Sequence, residues 1–232
     1  MDVDGTIIDI APTPDAVDVP GSLKQTLVKL QKETAGALAL VSGRKLATLD
    51  SLFAPLTLAA VGCHGAEWRL QPEHPVAVRS QPLSPEARQA FLAAVDRTWN
   101  IRVEDKNYTI AFHYRSAPEL APALEAALNR VLAPHMSELR LLHGKLVMEV
   151  KSRGFDKGEV IRALMQFPPF AGRRPVFLGD DTTDEDAFAA VHELGGVGIS
   201  VGRPMASAKY MLPNPQSARD WLSVIASGTS KI

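Results

Sequence analysis

Residues 177–188 read FLGDDTTDEDAF, an apolar run that breaks into acids just where helical spacing begins. Phe177 and Leu178 lead straight into Asp180 and Asp181, and Asp184 follows four positions after the first. Phe188 and Val191 then lie on one helical face. A helix start favours acids, with Thr183 or Asp184 as cap and Asp186 in the first turn. That explains Asp184 and Asp186 but not Asp180 and Asp181. Carboxylates crowded at a buried strand end oppose folding unless something positive neutralises them. Hard oxygen donors with no His or Cys beside them point to Mg²⁺. A strand feeding a helix through such a turn is the unit of an open α/β sheet, where ligands bind outside the carboxyl ends of the strands.

Working outward, the same alternation recurs on both sides. VDGTII is a short β-rich run, PGSLKQTLVKLQKETAG puts Leu23, Leu27 and Leu30 on one helical face, and ALALVSG reads as a buried strand. RKLATLDSLFA predicts a helix carrying Leu46, Leu49 and Phe53, and LTLAAVG the next strand. Beyond residue 150 come a helix with Val160, Ile161 and Leu164, the strand RPVFLGD, the strand GVGISV and a last helix with Trp221, Val224 and Ile225. From about His74 to Val150 strands follow strands instead: PVAVRS, IRVE, YTIAFHYR, then LRLLHG and KLVMEV joined at a His-Gly turn. Two helices accompany them, one with Phe91, Val95 and Trp99, the other in APELAPALEAALNRVLA. The pattern predicts an α/β fold: a doubly wound, Rossmann-like parallel-sheet core of residues 1–73 and 151–232, interrupted by an α+β cap of residues 74–150.

Composition narrows the function. A net charge of −1 gives no sign of a nucleic-acid stripe or a polybasic membrane anchor. Runs such as ALALV and LTLAAV are too short to span a bilayer. Cys63 is the single cysteine, so an internal disulfide is impossible and a reducing compartment fits, with a cytoplasmic protein the default. Cys63 itself reads as buried filler.

Three other strand ends carry reactive groups. In DVDGT, Asp2 and Asp4 share one face of an extended strand, where two carboxylates repel unless a cation intervenes, although Asp-Gly is also an ordinary turn pair. LVSGRK places the Ser42 hydroxyl at a strand end and exposes the amides of the next helix start, an anion site; a plain N-cap serine is the alternative. GFDKGEV sets Lys157 in a first helical turn, against the positive end of the dipole. A phosphate there removes the objection; otherwise Lys157 is a solvated surface lysine.

In order and in placement, these four segments resemble the four motifs of the haloacid dehalogenase phosphatase superfamily, with an insertion where the C2 cap type has it. The combination HGAE, FHYR, MEVKSRGFDKG and LGDDTTDED is similar to the trehalose phosphatase family within it. The resemblance implies a Mg²⁺-dependent hydrolysis of trehalose 6-phosphate, the last step of trehalose biosynthesis. It implies that Asp2 is the nucleophile, forming an aspartyl phosphate, and that Asp4 is the general acid and base. It implies that Ser42 and Lys157 hold the phosphoryl oxygens. Mg²⁺ is then held by Asp2, the Asp4 carbonyl and Asp180, with Asp184 or Asp181 completing the shell. Arg44, Glu104, Lys106, Arg115 and Glu149 are the implied substrate contacts. For His64 a structural role and a ligand contact stay equally open, and Glu67 is a further candidate. The implied partners are a small sugar phosphate and, functionally, trehalose-6-phosphate synthase, with no nucleic acid and no membrane.

In the family the catalytic strand begins several apolar residues before its first Asp, whereas here only Met1 precedes Asp2. The expectation is a strand that lacks its first half, and a native start upstream of Met1. Two rival readings remain: a phosphatase for another sugar phosphate (sucrose phosphate or mannosylglycerate phosphate), and a non-catalytic sugar-phosphate binding module.

Overall fold

The structure, a computed structural model, describes residues 1–11, 16–154 and 156–228. Phe155 of the GFDKGEV motif lies outside the described residues. The chain forms two compact units, Met1–Arg79 with Asp156–Ile232, and Ser80–Phe155. The first unit opens with α1 (Gly21–Glu33), β1 (Ala39–Val41), α2 (Leu46–Phe53), β2 (Ala59–Gly62), β3 (Glu67–Arg69) and β4 (Ala77–Val78). The second unit holds α3 (Pro85–Ala93), β5 (Arg102–Asp105), β6 (Thr109–His113), α4 (Ala121–Leu132), β7 (Leu139–Gly144) and β8 (Val147–Ser152). The chain re-enters the first unit with α5 (Lys157–Leu164), β9 (Val176–Gly179), α6 (Glu185–Glu193), β10 (Val197–Val201), β11 (Tyr210–Leu212) and α7 (Pro215–Ala226).

In the first unit β1 and β2 run parallel, as do β9, β10 and β11. The two sets are joined by the first residues of the chain. The Val41 amide donates to the Met1 carbonyl and the Asp2 amide to the Leu178 carbonyl, both at 2.9 Å. The Met1 amine donates to the Ala39 carbonyl, also at 2.9 Å. The opening tripeptide therefore lies between β1 and β9 and carries Asp2 into the middle of the sheet. The strands are buried on both faces, and successive side chains join alternate clusters. Leu40 and Ala60 join a cluster with Leu27 of α1, Phe53 of α2 and Leu222 of α7. Val41 and Val61 join another with Ile161 of α5 and Phe188 of α6. Apolar side chains on both faces, each covered by helices, give the doubly wound layout read from the sequence. The second unit is an antiparallel sheet in the order β5-β6-β8-β7, with Phe91 of α3 and Leu124 and Leu128 of α4 packed on Ile110, Phe112, Met148 and Val150.

Several details differ from the sequence expectation. VDGTII is not a strand throughout: after Asp4 the chain turns back, and the amides of Thr6, Ile7 and Ile8 all donate to the Val3 carbonyl. Residues 75–79 of PVAVRS belong to the first unit, because β4 pairs with β3 at the sheet edge, so that unit runs to Arg79 rather than to residue 73. The second unit runs past Val150 because β8 stays paired with β7 as far as Ser152. The β7–β8 turn is Lys145–Leu146, not His-Gly, since Gly144 is still paired with Val147. Helix α3 stops at Ala93, and Val95 and Trp99 reach the same cluster from the loop that follows. The short strands β3 and β11 escaped the sequence reading.

Candidate active site

The turn after Asp4 depends on Gly5, whose φ of +78° is a conformation that side chains disfavour. A Cβ there would stand 2.2 Å from Asp180 Oδ2, so the missing side chain is what lets the end of β9 approach the opening segment. Asp2 and Thr6 are buried. The Thr6 hydroxyl reaches Asp2 Oδ2 at 2.9 Å and Asp180 Oδ1 at 3.2 Å, tying the two carboxylates to one hydroxyl.

Lys157 opens α5 behind the cap Asp156, whose carboxylate accepts the Glu159 amide at 2.8 Å. Its side chain is 5% exposed, which excludes the solvated-surface reading. Nζ donates to Asp2 Oδ1 at 2.8 Å and to Asp184 Oδ1 at 2.6 Å. Burial alone would pull the ammonium pKa down; the carboxylates of Asp184 and Asp2 outweigh it and raise the pKa well above the ordinary lysine value. Lys157 therefore stays charged despite the helix dipole.

Asp184 is fully buried, and its Oδ2 accepts the amides of Asp180 and Asp181 at 2.9 and 3.0 Å. Burial pushes its carboxyl pKa up, with Lys157 pulling the other way and Asp2 adding to the rise. Asp184 stands at the N-cap of α6 as read from the sequence, though without a side-chain cap bond, and Asp186 lies in its first turn. Asp181 caps the 3₁₀ turn Thr182–Asp184 before it, accepting the Thr182 amide at 2.8 Å. Its carboxylate also lies 3.8 Å from Arg203.

Asp2, Asp180 and Asp184 each bring a carboxylate oxygen within 4.8 Å of the others, and all three are buried. The ammonium of Lys157 bonds to two of these three carboxylates, which outnumber it. Every donor of the set is a hard oxygen. That donor set and that charge fit a divalent cation such as Mg²⁺. The set includes Asp184 and leaves Asp181 to cap the 3₁₀ turn.

Asp4 points to a different partner. Arg44 donates Nε–H to Asp4 Oδ2 and Nη2–H to Asp4 Oδ1, both at 2.7 Å. Ser42, 2% exposed, accepts the Arg44 amide on Oγ at 3.1 Å. The amide at the start of α2 is not open to an anion: Glu67 of β3 reaches across, and its Oε2 accepts Leu46 N–H at 2.7 Å. Glu67 thus caps a helix whose own N-cap, Lys45, makes no side-chain cap bond. His64, with φ +52°, lies over Gly43, where a Cβ would meet its Nε2 at 2.4 Å. Cys63 is buried, as expected of a filler.

A sequence profile of the trehalose-phosphatase family matches residues 1–215. The chain belongs to the trehalose-phosphatase family. It is 38% identical over 229 residues to a probable trehalose-phosphate phosphatase of Sinorhizobium fredii, spanning 97% of this chain and 86% of that one. It is likewise 38% identical over 228 residues to the trehalose-6-phosphate phosphatase of Escherichia coli, across 97% of this chain and 85% of that one. The fold is similar to the C-terminal domain of Candida albicans trehalose-6-phosphate phosphatase, with a TM-score of 0.84 at 21% identity over 97% of this chain and 90% of that one.

In this member of the trehalose-phosphatase family, the second unit carries its own polar group. Lys106 and Glu149 are both buried, and Lys106 Nζ donates to Glu149 Oε1 at 3.0 Å. The hydroxyl of Thr109, which the sequence reading passed over, donates to the same oxygen at 2.6 Å. Glu104 lies two positions before Lys106, 3.1 Å from His113 Nε2, and that bond, the largest influence, lowers its carboxyl pKa. Arg115 follows β6 in a turn and is half-buried. Thr6 was the other omission. Its place one turn beyond Asp2 was visible in VDGT, but its reach to Asp180 depends on a contact across 174 positions.

Proposed function

We propose that this chain hydrolyses trehalose 6-phosphate to trehalose and inorganic phosphate, as a Mg²⁺-dependent phosphomonoesterase with Asp2 as nucleophile. The observation that carries the reading is the buried set of Asp2, Asp180, Asp184 and Lys157, whose oxygen donors and excess negative charge suit a cation facing a phosphoryl group. Asp2, Asp180 and Asp184 would hold the metal, which supplies positive charge beside the phosphoryl oxygens. An Asp2 carboxylate oxygen attacks phosphorus and the bond to the sugar oxygen breaks, while Asp4 gives that oxygen a proton. Water then attacks the aspartyl phosphate and passes a proton to Asp4, and phosphate leaves Asp2. Lys157 keeps the nucleophile oriented and balances charge on the phosphoryl oxygens, and Ser42 contributes a hydroxyl at the end of β1.

Glu104, Lys106, Arg115 and Glu149 are proposed to recognise the sugar. The buried Lys106–Glu149–Thr109 group supports this, because a buried ion pair is seldom retained for stability alone. Among the described residues no helix is long and apolar enough to cross a membrane. We assign the enzyme to the cytoplasm, alongside the synthase that makes its substrate; the single buried cysteine is consistent with that compartment.

The test is phosphate release from trehalose 6-phosphate, glucose 6-phosphate and sucrose 6-phosphate, with Mg²⁺ and with EDTA. Metal-dependent turnover of the first alone is the expected result. Preference for another ester moves the reading to a different sugar phosphate. Binding without turnover, unchanged in Asp2→Asn, leaves a binding module.

A further inference from the structure

We infer that Arg44 is a positioning residue for the reaction, fixing the carboxylate of Asp4 rather than contacting substrate. The inference rests on the phosphatase reading above and assigns within it a role that composition and spacing do not reveal. The two donors fall on two different oxygens at equal distance, 2.7 Å each, which is the planar fork that guanidinium forms with carboxylate. Such a fork removes rotation of the carboxylate about its own axis, a freedom that a single bond or a point charge leaves in place. Asp4 has need of it. Its side chain is 35% exposed, the residue stands at the tip of the opening segment, and the chain turns away at Gly5 directly after it.

Arg44 itself is well anchored. Its side chain is 14% exposed, its amide donates to Ser42 Oγ at 3.1 Å, and its carbonyl accepts the Cys63 amide at 2.9 Å. A Cβ on Gly62 would stand 2.7 Å from that carbonyl, so the bare glycine is what lets the end of β2 close on Arg44. The acid–base group is thus held from two neighbouring strand ends. Asp4 must present one oxygen first to the leaving sugar oxygen and then to water, and a misplacement of about 1 Å in such a group costs on the order of 100-fold. A guanidinium that spends Nε–H and an Nη2–H on Asp4 does not have that edge free for a phosphate or a sugar.

The test compares wild type, Arg44→Ala, Arg44→Lys, Asp4→Asn and the double variant Arg44→Ala/Asp4→Asn, on trehalose 6-phosphate and on p-nitrophenyl phosphate. The expected result is a kcat lower by about 10- to 100-fold in Arg44→Ala with KM within about threefold. Arg44→Lys stays impaired, because an ammonium does not span two oxygens. Arg44→Ala costs nothing further in the Asp4→Asn background, and added guanidinium restores kcat to Arg44→Ala but not to the double variant. A KM raised about tenfold with kcat retained, or independent losses that multiply in the double variant, overturns the inference. Wild type that cleaves the aryl ester but not trehalose 6-phosphate overturns the substrate reading instead, and the same cycle is then read on the aryl ester. Turnover of neither ester overturns both.

Discussion

Replacing Lys157 by methionine removes the ammonium that bonds Asp2 and Asp184 while keeping most of the side-chain volume. In the folded protein Nζ contacts Asp2 and Asp184 at 2.8 and 2.6 Å; the Asp184 side chain has no solvent exposure and that of Asp2 only 8%. Loss of one partner from a buried ion pair costs about 3–5 kcal/mol, since the other charge is left uncompensated. For a chain of this size about 1 kcal/mol lowers the melting temperature by roughly 2–4 °C, so the expected fall is about 6–20 °C in the transition of the first unit. Two controls make the reasoning specific. Lys157→Met/Asp184→Asn removes one negative charge as well and should recover about 0.5–3 kcal/mol. Added Mg²⁺ should stabilise Lys157→Met more than the double variant, because binding to the folded state alone stabilises by mass action. Calorimetry in EDTA and in Mg²⁺ measures both effects. A Lys157→Met protein within about 1 kcal/mol of wild type, or a double variant less stable than the single one, would refute the charge-balance argument.

Three further outcomes follow from the geometry. Glu67→Ala should cost about 1 kcal/mol by uncapping α2, while Glu67→Gln, which keeps an acceptor oxygen for Leu46 N–H, should retain both stability and kcat; a raised KM in Glu67→Gln would show a ligand contact instead. Gly5→Ala places a methyl 2.2 Å from Asp180 Oδ2 at a φ of +78°, so it should raise the Mg²⁺ concentration needed for half-maximal turnover by at least about tenfold, on the order of 1.4 kcal/mol. Glu104 ionises below its unfolded value because His113 bonds to it; its contribution is therefore complete above about pH 4.5 and lost as pH falls through the lower folded value. Melting curves of wild type and Glu104→Gln between about pH 3 and pH 6 should converge at the acid end, and a constant difference would exclude the link.

The parts of the fold legible in the sequence were those with repeated local signals. Leu23, Leu27 and Leu30 recur on one face of α1, and FLG followed by acids marks both a buried strand and the start of the next turn. Strands β3 and β11, each three residues long, offer too few alternations for a period to register. The edge strand β4 was visible, but its membership was not, because pairing with β3 is a backbone property. At the site, residue types were readable and partners were not. The sequence does not choose between Asp181 and Asp184 as the acid that completes the set; hydrogen bonds from the amides of residues 180 and 181 hold Asp184 inward, while Asp181 caps the 3₁₀ turn. For Arg44, likewise, nothing local tells a free guanidinium from one held against Asp4, which is 40 positions away.

The distances along the chain between the groups of the site have a consequence for its manufacture. The lysine partner of Asp2 lies 155 positions after it, and Thr6 meets Asp180 across 174. As synthesis proceeds from the amino end, Asp2 lacks this counter-charge until α5 has emerged, and the carboxylate set is incomplete until residue 184 has followed. The inserted segment, a compact unit by itself, can fold in that interval. A chain stopped before residue 184 therefore carries Asp2 without its partners, and the set is completed only as these long-range contacts close.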